Sequence, residues 1–257
     1  MTRMPALYIG HGAPMLLDDP LWSRELKEVA QKLPKPKAIL IISAHWESEP
    51  VTLSSPNPAT PLVYDFSGFA PKYYQMTYET PDASELANLV TKLMPDNESV
   101  VTASRGLDHG AWVPLKIMYP DGDIPVLQMS MPTSNPQRLL KLGKRLQTLR
   151  DQGVLIIGSG FMTHGLPFLR DWRIDADAPG WSSDFDLWAK ESLANGDIES
   201  LAKFRDLAPG MPYAHPTVEH FTPLFVTLGA ATNSELAPET LIEGYFMGLS
   251  KRSILVA

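Results

Sequence analysis

Three short apolar runs, each closely followed by a histidine, constrain the fold of this chain more than any other feature of its sequence. They are residues 6–10 before His11, residues 38–44 before His45, and residues 154–158 a few positions before His164. Such aliphatic runs, breaking into Gly, Ser or Ala, are typical of buried parallel strands entering their loops. Because ligands bind beyond the carboxyl ends of strands in open α/β sheets, we expect these imidazoles to form a metal centre at one edge.

The order of the remaining patterns predicts an α/β fold. Predicted strands cover residues 5–10, 38–44, 51–54, 99–104, 124–130, 153–158 and 240–248. Predicted helices cover residues 20–32, 82–94, 111–118, 135–151, 183–194, 197–205 and 217–229. Because strands and helices alternate, we expect residues 1–257 to form a single domain, with a central, largely parallel or mixed sheet and helices on both faces.

The helix predicted at 135–151 has the clearest boundaries. Asn135 suits the N-cap, Pro136 suits the first turn, and Gly153 follows the expected end. Leucines recur between these points at helical spacing and form one apolar stripe. The sequence therefore predicts an amphipathic helix that leads directly into the strand at 153–158.

A long proline-rich segment at 50–81 separates two of the predicted elements. It carries six aromatic side chains, which are Tyr64, Phe66, Phe69, Tyr73, Tyr74 and Tyr78. Loops of this length in compact domains are usually functional or disordered, and the aromatic content argues against disorder. We expect either a lid over a flat apolar substrate or aromatic side chains that simply pack the loop onto the domain.

Composition excludes several kinds of function. The chain has no cysteine, which rules out disulfides, thiolate metal ligands and cysteine nucleophiles. Its net charge of −7, without a Lys/Arg patch, argues against nucleic-acid binding. Without a secretion signal or an 18-residue apolar run, we expect a cytoplasmic protein that does not enter membranes.

The other three histidines also lie in loops or near the starts of predicted helices. His109 follows Asp108 in a turn, and His215 and His220 flank a segment that leads into a predicted helix. Because thiolates are absent, neutral imidazole is the best transition-metal donor in the chain. No HExxH or HxH motif is present, so the spacing alone also allows histidines that only satisfy loop carbonyls.

The motifs around these histidines resemble those of a known enzyme family. They are GHGAP at 10–14, SAHWE at 43–47, LDHGAW at 107–112, GSGFMTHG at 158–165 and HPTVEHFTPL at 215–224. In this order they are similar to the class III extradiol ring-cleavage dioxygenases, and most of all to the DOPA-dioxygenase branch. The resemblance implies an enzyme with an α/β fold that uses O₂ to open the ring of a DOPA-like catechol.

The resemblance also implies roles for individual residues. The metal ligands would be His11, His45 and His220, with His164 as acid/base and possible fourth ligand, and His109 in contact with substrate and oxygen. Substrate-binding residues would be His215, Tyr64 and Phe66. The active metal would be Fe²⁺, although zinc is often found in such proteins as isolated.

Several alternatives stay open from the sequence. Better-studied members of the family use two histidines and one glutamate, and Glu219 directly precedes His220. Neighbours on a helix point about 100° apart, so only one of them can face the metal, and the resemblance favours His220. Three histidines also suit a zinc-dependent hydrolase. A non-catalytic metal-binding protein on the same fold is the third possibility.

Overall fold

The computed structural model describes residues 3–231 and 236–257. Its strands are β1 (Ala6–Gly10), β2 (Ala38–Ser43), β3 (Val51–Leu53), β4 (Val100–Thr102), β5 (Val126–Gln128), β6 (Val154–Gly160), β7 (Glu239–Ile242), β8 (Tyr245–Phe246), β9 (Leu249–Ser250) and β10 (Ser253–Val256). Its α-helices are α1 (Pro20–Lys32), α2 (Ser84–Leu93), α3 (His109–Met118), α4 (Pro136–Leu146), α5 (Gly180–Ala194), α6 (Ile198–Ala202), α7 (Phe204–Leu207) and α8 (Pro223–Gly229). Short 3-10 helices cover Pro14–Asp18, Pro71–Gln75, Gln147–Gln152 and Leu166–Phe168.

A six-stranded mixed sheet in the order β5-β2-β6-β1-β10-β7 forms the centre of the fold. Strands β5, β2, β6 and β1 are parallel, whereas β10 and β7 run antiparallel at one side. The parallel strands end level, because Gly10 pairs with Gly160 and Ser43 pairs with Ser159. The loops after β1, β2 and β6 therefore leave the sheet at the same edge, as the sequence predicts.

Helices cover both faces of this sheet, and successive strand residues point to opposite sides. In β1, Tyr8 packs into one hydrophobic core, which includes side chains from α4 and α8, whereas Leu7 and Ile9 pack into the other. The second core contains Trp22 of α1 and Trp112 of α3, both almost completely buried. Each fully buried aliphatic side chain contributes roughly 1.5–3 kcal/mol, so both faces hold the sheet in place. The expected α/β fold with two covered faces is confirmed.

The C-terminal part of the chain differs most from the sequence prediction. The single strand predicted at 240–248 is wrong: β7 ends at Ile242, and β8 and β9 form a separate hairpin. Gly244 and Gly248 have φ angles of 96° and 75°, which a continuous strand does not accommodate. Strand β10, which the sequence analysis did not predict, then returns to pair with β1.

Other predicted elements are shorter than expected or pair differently. The helix predicted at 217–229 begins only at Pro223, and turns precede it. The helix predicted at 135–151 continues as a 3-10 helix after Leu146, and the one predicted at 197–205 is divided between α6 and α7. Strands β3 and β4 pair with each other in a separate parallel sheet.

The proline-rich segment that follows β3 both packs on the domain and reaches the site edge. Tyr73 and Tyr78 are buried, and the Tyr78 hydroxyl donates to the Tyr119 carbonyl at 2.9 Å. Phe66 and Phe69 instead line a cavity at the carboxyl edge of the sheet. Part of the segment thus packs on the domain, as one alternative predicts, and part lines the cavity, whereas a role as a lid over a substrate stays a prediction.

Among the helices described here, none is both long and apolar enough to cross a bilayer. The cytoplasmic location expected from the sequence stays a prediction.

Candidate active site

Three histidine side chains converge beyond the carboxyl ends of the parallel strands. The Nε2 atom of His45 lies 3.0 Å from Nε2 of His11 and 3.3 Å from Nε2 of His220. The ligand atoms of all three residues lie within 4.8 Å of one another. The structure thus brings together the three residues that the resemblance marks as metal ligands.

The backbone of the sheet fixes each of these histidines. His11 directly follows β1, and its amide donates to the Gly160 carbonyl at 3.1 Å. The amide of His45 donates to the Ser43 hydroxyl at 3.1 Å. The carbonyl of His220 accepts from the Tyr8 hydroxyl at 2.8 Å. Because these anchors belong to the central strands or border them, the imidazoles are held on a rigid base rather than on free loops.

The space around the imidazoles is filled by the first turn of α3. A Cβ atom at Gly110 would lie 2.3 Å from Oγ of Ser43, 3.0 Å from Cδ2 of His45 and 3.2 Å from Nδ1 of His11. A residue other than glycine therefore cannot fit without moving these groups. The absence of a side chain lets the helix approach the histidines closely.

Each of the three imidazoles turns Nδ1 toward an oxygen acceptor that lies away from the point of convergence. His11 Nδ1 lies 3.1 Å from the Ser159 hydroxyl, which donates its own proton to a backbone carbonyl and therefore accepts from the ring. His45 Nδ1 lies 3.4 Å from a carboxylate oxygen of Asp65, and His220 Nδ1 lies 2.9 Å from one of Glu219. These acceptors place the proton on Nδ1, so each Nε2 presents a lone pair.

Burial keeps these imidazoles neutral. Desolvation, together with the charge of neighbouring histidines, lowers the pKa of His11 and of His220 well below the usual value. The same causes, desolvation first, lower the pKa of His45 to about 3. Near neutral pH all three rings are therefore uncharged and can act as ligands.

A divalent cation fits this arrangement. Three lone pairs that face one another at such distances repel, and a cation between them removes the repulsion. Two nitrogens at about 2.1 Å from one metal ion lie about 3.0 Å apart at a right angle and about 3.4 Å apart at a tetrahedral angle. The separations of 3.0 and 3.3 Å between the Nε2 atoms lie within this range.

Two other groups of three potential ligands lie beside this one. They are His45, Asp65 and His109, and His164, Glu219 and His220. In both groups the carboxylate already accepts a hydrogen bond from an imidazole Nδ1. Such carboxylates commonly orient metal-bound histidines from outside the ligand set. The geometry thus favours His220 over Glu219 as the third ligand.

His109 lies at the start of α3 and is oriented by Asp65. Its backbone amide and its Nδ1 atom both contact Oδ1 of Asp65, at 3.1 and 2.8 Å. Partial burial raises the pKa of Asp65, but the hydrogen bond from His109 and the neighbouring charges outweigh it and lower the pKa to about 2. Asp65 is therefore ionised near neutral pH, with one carboxylate serving both His109 and His45.

His164 stacks on the third of the converging histidines. Its ring lies parallel to that of His220, with centroids 3.4 Å apart. Its backbone amide donates to the Ala214 carbonyl at 2.8 Å, which fixes the loop after β6. Desolvation, with smaller contributions from His215 and His109, lowers the pKa of His164 to about 3. The side chain is therefore a neutral base next to the candidate metal centre.

The histidines form the floor of a cavity of about 350 Å³. Its walls come from the 3-10 helix after β1, the proline-rich segment, the loop after β6 and the β8–β9 hairpin. Its lining residues are His11, Gly12, Ala13, Pro14, Met15, His45, Phe66, Ser67, Phe69, His109, Phe161, His164, Leu166, Trp172, His220, Phe246, Met247 and Leu249. This volume is at the lower end of the roughly 300–1,000 Å³ of small-molecule sites.

Only one of the three expected substrate-binding residues lies on the cavity wall. Phe66 lines it, but Tyr64 lies behind, where its hydroxyl donates to the Met76 carbonyl at 2.6 Å. His215 is buried away from the cavity, and its Nε2 atom contacts the Met162 carbonyl at 2.9 Å. The structure therefore brings Phe66, but not Tyr64 or His215, to the place where a substrate would bind.

Two residues that orient the histidines were not predicted from the sequence. Asp65 lies between Tyr64 and Phe66 in a segment without regular secondary structure, and Ser159 lies inside the GSG stretch at the end of β6. The one available signal for Asp65 was an acidic residue among aromatic residues in a long loop. No periodic pattern links it to the histidines 20 and 44 positions away.

Comparisons with known proteins indicate the family of the chain. Residues 7–248 match the family model described as the catalytic LigB subunit of aromatic ring-opening dioxygenase. A protein named 4,5-DOPA dioxygenase extradiol from Beta vulgaris is 43% identical, over 90% of this chain and 88% of its own length. One of the same name from Escherichia coli K12 is 36% identical, over 99% of this chain and 95% of its own length.

A solved structure extends the agreement to three dimensions. The crystal structure of an uncharacterized protein from Escherichia coli K12 has a TM-score of 0.84 and 32% sequence identity, and it covers 99% of this chain and 100% of its own. The family resemblance drawn from the histidine motifs is confirmed. The chain therefore belongs to the LigB family of extradiol, aromatic ring-opening dioxygenases.

Proposed function

We propose that the enzyme cleaves a catechol next to its two hydroxyl groups, at a divalent metal held by His11, His45 and His220. The observation that carries this proposal is the convergence of three neutral Nε2 lone pairs, at separations of 3.0 and 3.3 Å. A catechol suits such a site because its two adjacent oxygens can chelate one ion. Both atoms of O₂ enter the ring-opened product, so no further reductant is needed.

The proposed resident metal is Fe²⁺. When bound, it supplies open coordination positions for the catechol oxygens and O₂, together with the redox chemistry of ring opening. Three neutral imidazoles suit Zn²⁺ equally well as ligands, but zinc has no redox chemistry. Zinc-loaded protein is therefore a matched control for the iron form.

We assign the proton transfer to His164. Its imidazole is neutral and borders the cavity, stacked against His220. It can accept the proton of a catechol hydroxyl at Nδ1 or Nε2, which is the role of a general base. Because burial disfavours the charged form of this ring, His164 would hold the proton only transiently and return it to the product.

We assign charge stabilisation to His109. Nδ1 of His109 contacts the Asp65 carboxylate at 2.8 Å, which orients the ring beside the cavity. In its doubly protonated form the ring would donate from Nε2 to an oxygen that gains negative charge there. Phe66 packs against the substrate ring, whereas Tyr64 and His215 hold loop carbonyls and support the site from behind.

The test is reconstitution of the metal-free protein with Fe²⁺ under anaerobic conditions, followed by a catechol and O₂. We expect uptake of one O₂ per catechol and a yellow muconic semialdehyde-type product. DOPA, the compound in the relatives' names, is one catechol to include. The zinc form should give no uptake, and no uptake by the iron form with any catechol would refute the proposal.

A zinc-dependent hydrolase is the second candidate, since three histidines and a neighbouring base also suit a metal-bound water. It would turn over an ester or amide with zinc and without O₂. Turnover that is independent of O₂ in the zinc form, with an inactive iron form, would support this candidate.

A further inference from the structure

We propose that the cavity selects catechols whose substituent is uncharged and apolar, in preference to the amino acid side chain of DOPA. This inference rests on the proposed ring cleavage and concerns the part of the substrate that does not react. It comes from the walls of the cavity, which differ in character from the histidine floor.

The walls of the cavity contain almost no polar side chain. Apart from the histidines, the Ser67 hydroxyl and the indole N–H of Trp172 are the polar side-chain groups among the described residues that line it, and no Lys, Arg, Asp or Glu is among them. The apolar wall residues are Ala13, Pro14, Met15, Phe66, Phe69, Phe161, Leu166, Trp172, Phe246, Met247 and Leu249. A carboxylate or ammonium group that enters with the substrate therefore finds no opposite charge on these walls.

Two positively charged side chains near the site already have partners. The guanidinium of Arg105 lies 5.0 Å from the ring centre of Trp46 and reaches the Asp108 carboxylate at 3.4 Å. Lys251 forms an ion pair with Glu25. Neither side chain lines the cavity, although the buried Nε of Arg105 has no hydrogen-bond partner.

The outer rim offers no better partner. Arg173, next to Trp172, binds the Asp171 carboxylate at 2.8 Å. Arg170 lines a separate groove, which also contains Asp171 and Asp177. Acidic residues thus accompany both arginines.

Physical chemistry then ranks the possible substituents. A charged group that leaves water for an apolar wall loses its hydration and gains no ion pair, which is strongly unfavourable. Each methylene that is buried on such a wall improves binding about fourfold. The net charge of −7 adds no attraction for an anionic substrate. The wall therefore favours an alkyl or aryl substituent.

The test uses four catechols with nearly the same shape. These are 4-propylcatechol, 3-(3,4-dihydroxyphenyl)propanoate, dopamine and DOPA, which carry no charge, a carboxylate, an ammonium group and both charges. We expect kcat/KM of the Fe²⁺ form to be at least about tenfold higher for 4-propylcatechol than for each charged compound. Calorimetry with the zinc form, which cannot cleave the ring, should give the same order of dissociation constants.

The outcomes separate the two proposals. DOPA cleaved as well as or better than 4-propylcatechol would overturn the inference and leave the ring-cleavage proposal intact. Cleavage of none of the four would overturn the inference, and if no other catechol gives O₂ uptake either, the ring-cleavage proposal is refuted with it. A preference for 4-propylcatechol in both kcat/KM and binding would support the inference.

Two variants sharpen the test. Ser67→Arg places a cation at an exposed position on the wall, and we expect it to raise the ratio of propanoate to 4-propylcatechol turnover about tenfold. Arg170→Ala removes the cation of the neighbouring groove and should leave this ratio unchanged. A selective loss of carboxylate substrates in Arg170→Ala would overturn the inference, because it would reveal a cation that serves the cavity.

Discussion

Substitution of Asp65 by asparagine tests whether the carboxylates around the site determine its affinity for metal. The Asp65 carboxylate contacts His109 Nδ1 at 2.8 Å, the His109 amide at 3.1 Å and His45 Nδ1 at 3.4 Å. Asparagine has the same shape, but it has only one acceptor oxygen and its NH₂ group donates. It can satisfy the two donors of His109 or the one of His45, but not both.

The consequence for His45 follows from its tautomer. If the amide oxygen of the introduced asparagine keeps its place against His109, the NH₂ group faces His45 Nδ1. To accept this hydrogen bond, His45 must move its proton from Nδ1 to Nε2. The Nε2 atom of His45, which lies 3.0 Å from Nε2 of His11, then carries a proton and offers no lone pair to the metal. If the metal displaces this proton, Nδ1 of His45 is protonated again, and two hydrogen-bond donors face each other.

The size of the effect can be set from the structure. Loss of a hydrogen-bonding partner of a metal-bound histidine typically lowers metal affinity roughly 10–100-fold. The Asp65 side chain is 22% exposed, so water can replace part of the lost contact. We therefore expect about a tenfold loss, equivalent to about 1.4 kcal/mol.

The assay is a zinc titration in competition with a chromophoric chelator, on parent and variant proteins. Asp123→Asn is the matched control, because its carboxylate pairs with Lys35 on the surface. Thermal unfolding of both variants without metal checks that they fold. Parental zinc affinity in a folded Asp65→Asn protein would refute the tautomer argument.

Further predictions concern the other parts of the site and its support. His45→Ala should lose bound metal, whereas His164→Ala should retain metal and lose turnover; equal metal loss in both would make His164 a ligand. Glu219→Gln should lower zinc affinity about tenfold, since Glu219 accepts the Nδ1 proton of His220 at 2.9 Å, and parental affinity would contradict this. Asp186→Ala removes a buried partner of Arg252. It should reduce the free energy of unfolding in urea by about 3 kcal/mol, and a loss under about 1 kcal/mol would contradict it.

The parallel strands that end at the site were predicted from the sequence better than the short strands of the C-terminal region. Parallel strands that are buried on both faces have continuous apolar runs, so β2 and β6 stand out without any alignment. The start of α4 was equally clear, because Asn135 accepts from the Arg138 amide as an N-cap does. Strands β8 and β9 have two residues each, which is too short for any periodicity to appear.

In the site, too, local sequence patterns predicted some residues, whereas the roles of others depend on the tertiary structure. Histidines at strand ends were found because their place in the chain determines their place in space. The shared role of Asp65 was not, since it depends on how the segment between β3 and α2 folds back onto α3. Hydrogen bonds such as that from the Val63 amide to the Leu107 carbonyl, at 2.8 Å, hold this segment in place, and no local pattern encodes them.

The charges around the histidines would also allow the proposed ligand set, which has no carboxylate, to hold a dication. Three neutral imidazoles contribute no charge, yet the Asp65 carboxylate lies 3.4 Å from His45 Nδ1, and the Glu219 carboxylate accepts from His220 Nδ1 at 2.9 Å. Together they carry two negative charges, which balance a divalent ion in a largely buried site. Because these carboxylates act through Nδ1, they would increase the electron density at Nε2 of the proposed ligands. If His11, His45 and His220 hold the metal as proposed, the site would keep the charge balance of a carboxylate ligand set without using a carboxylate as a ligand.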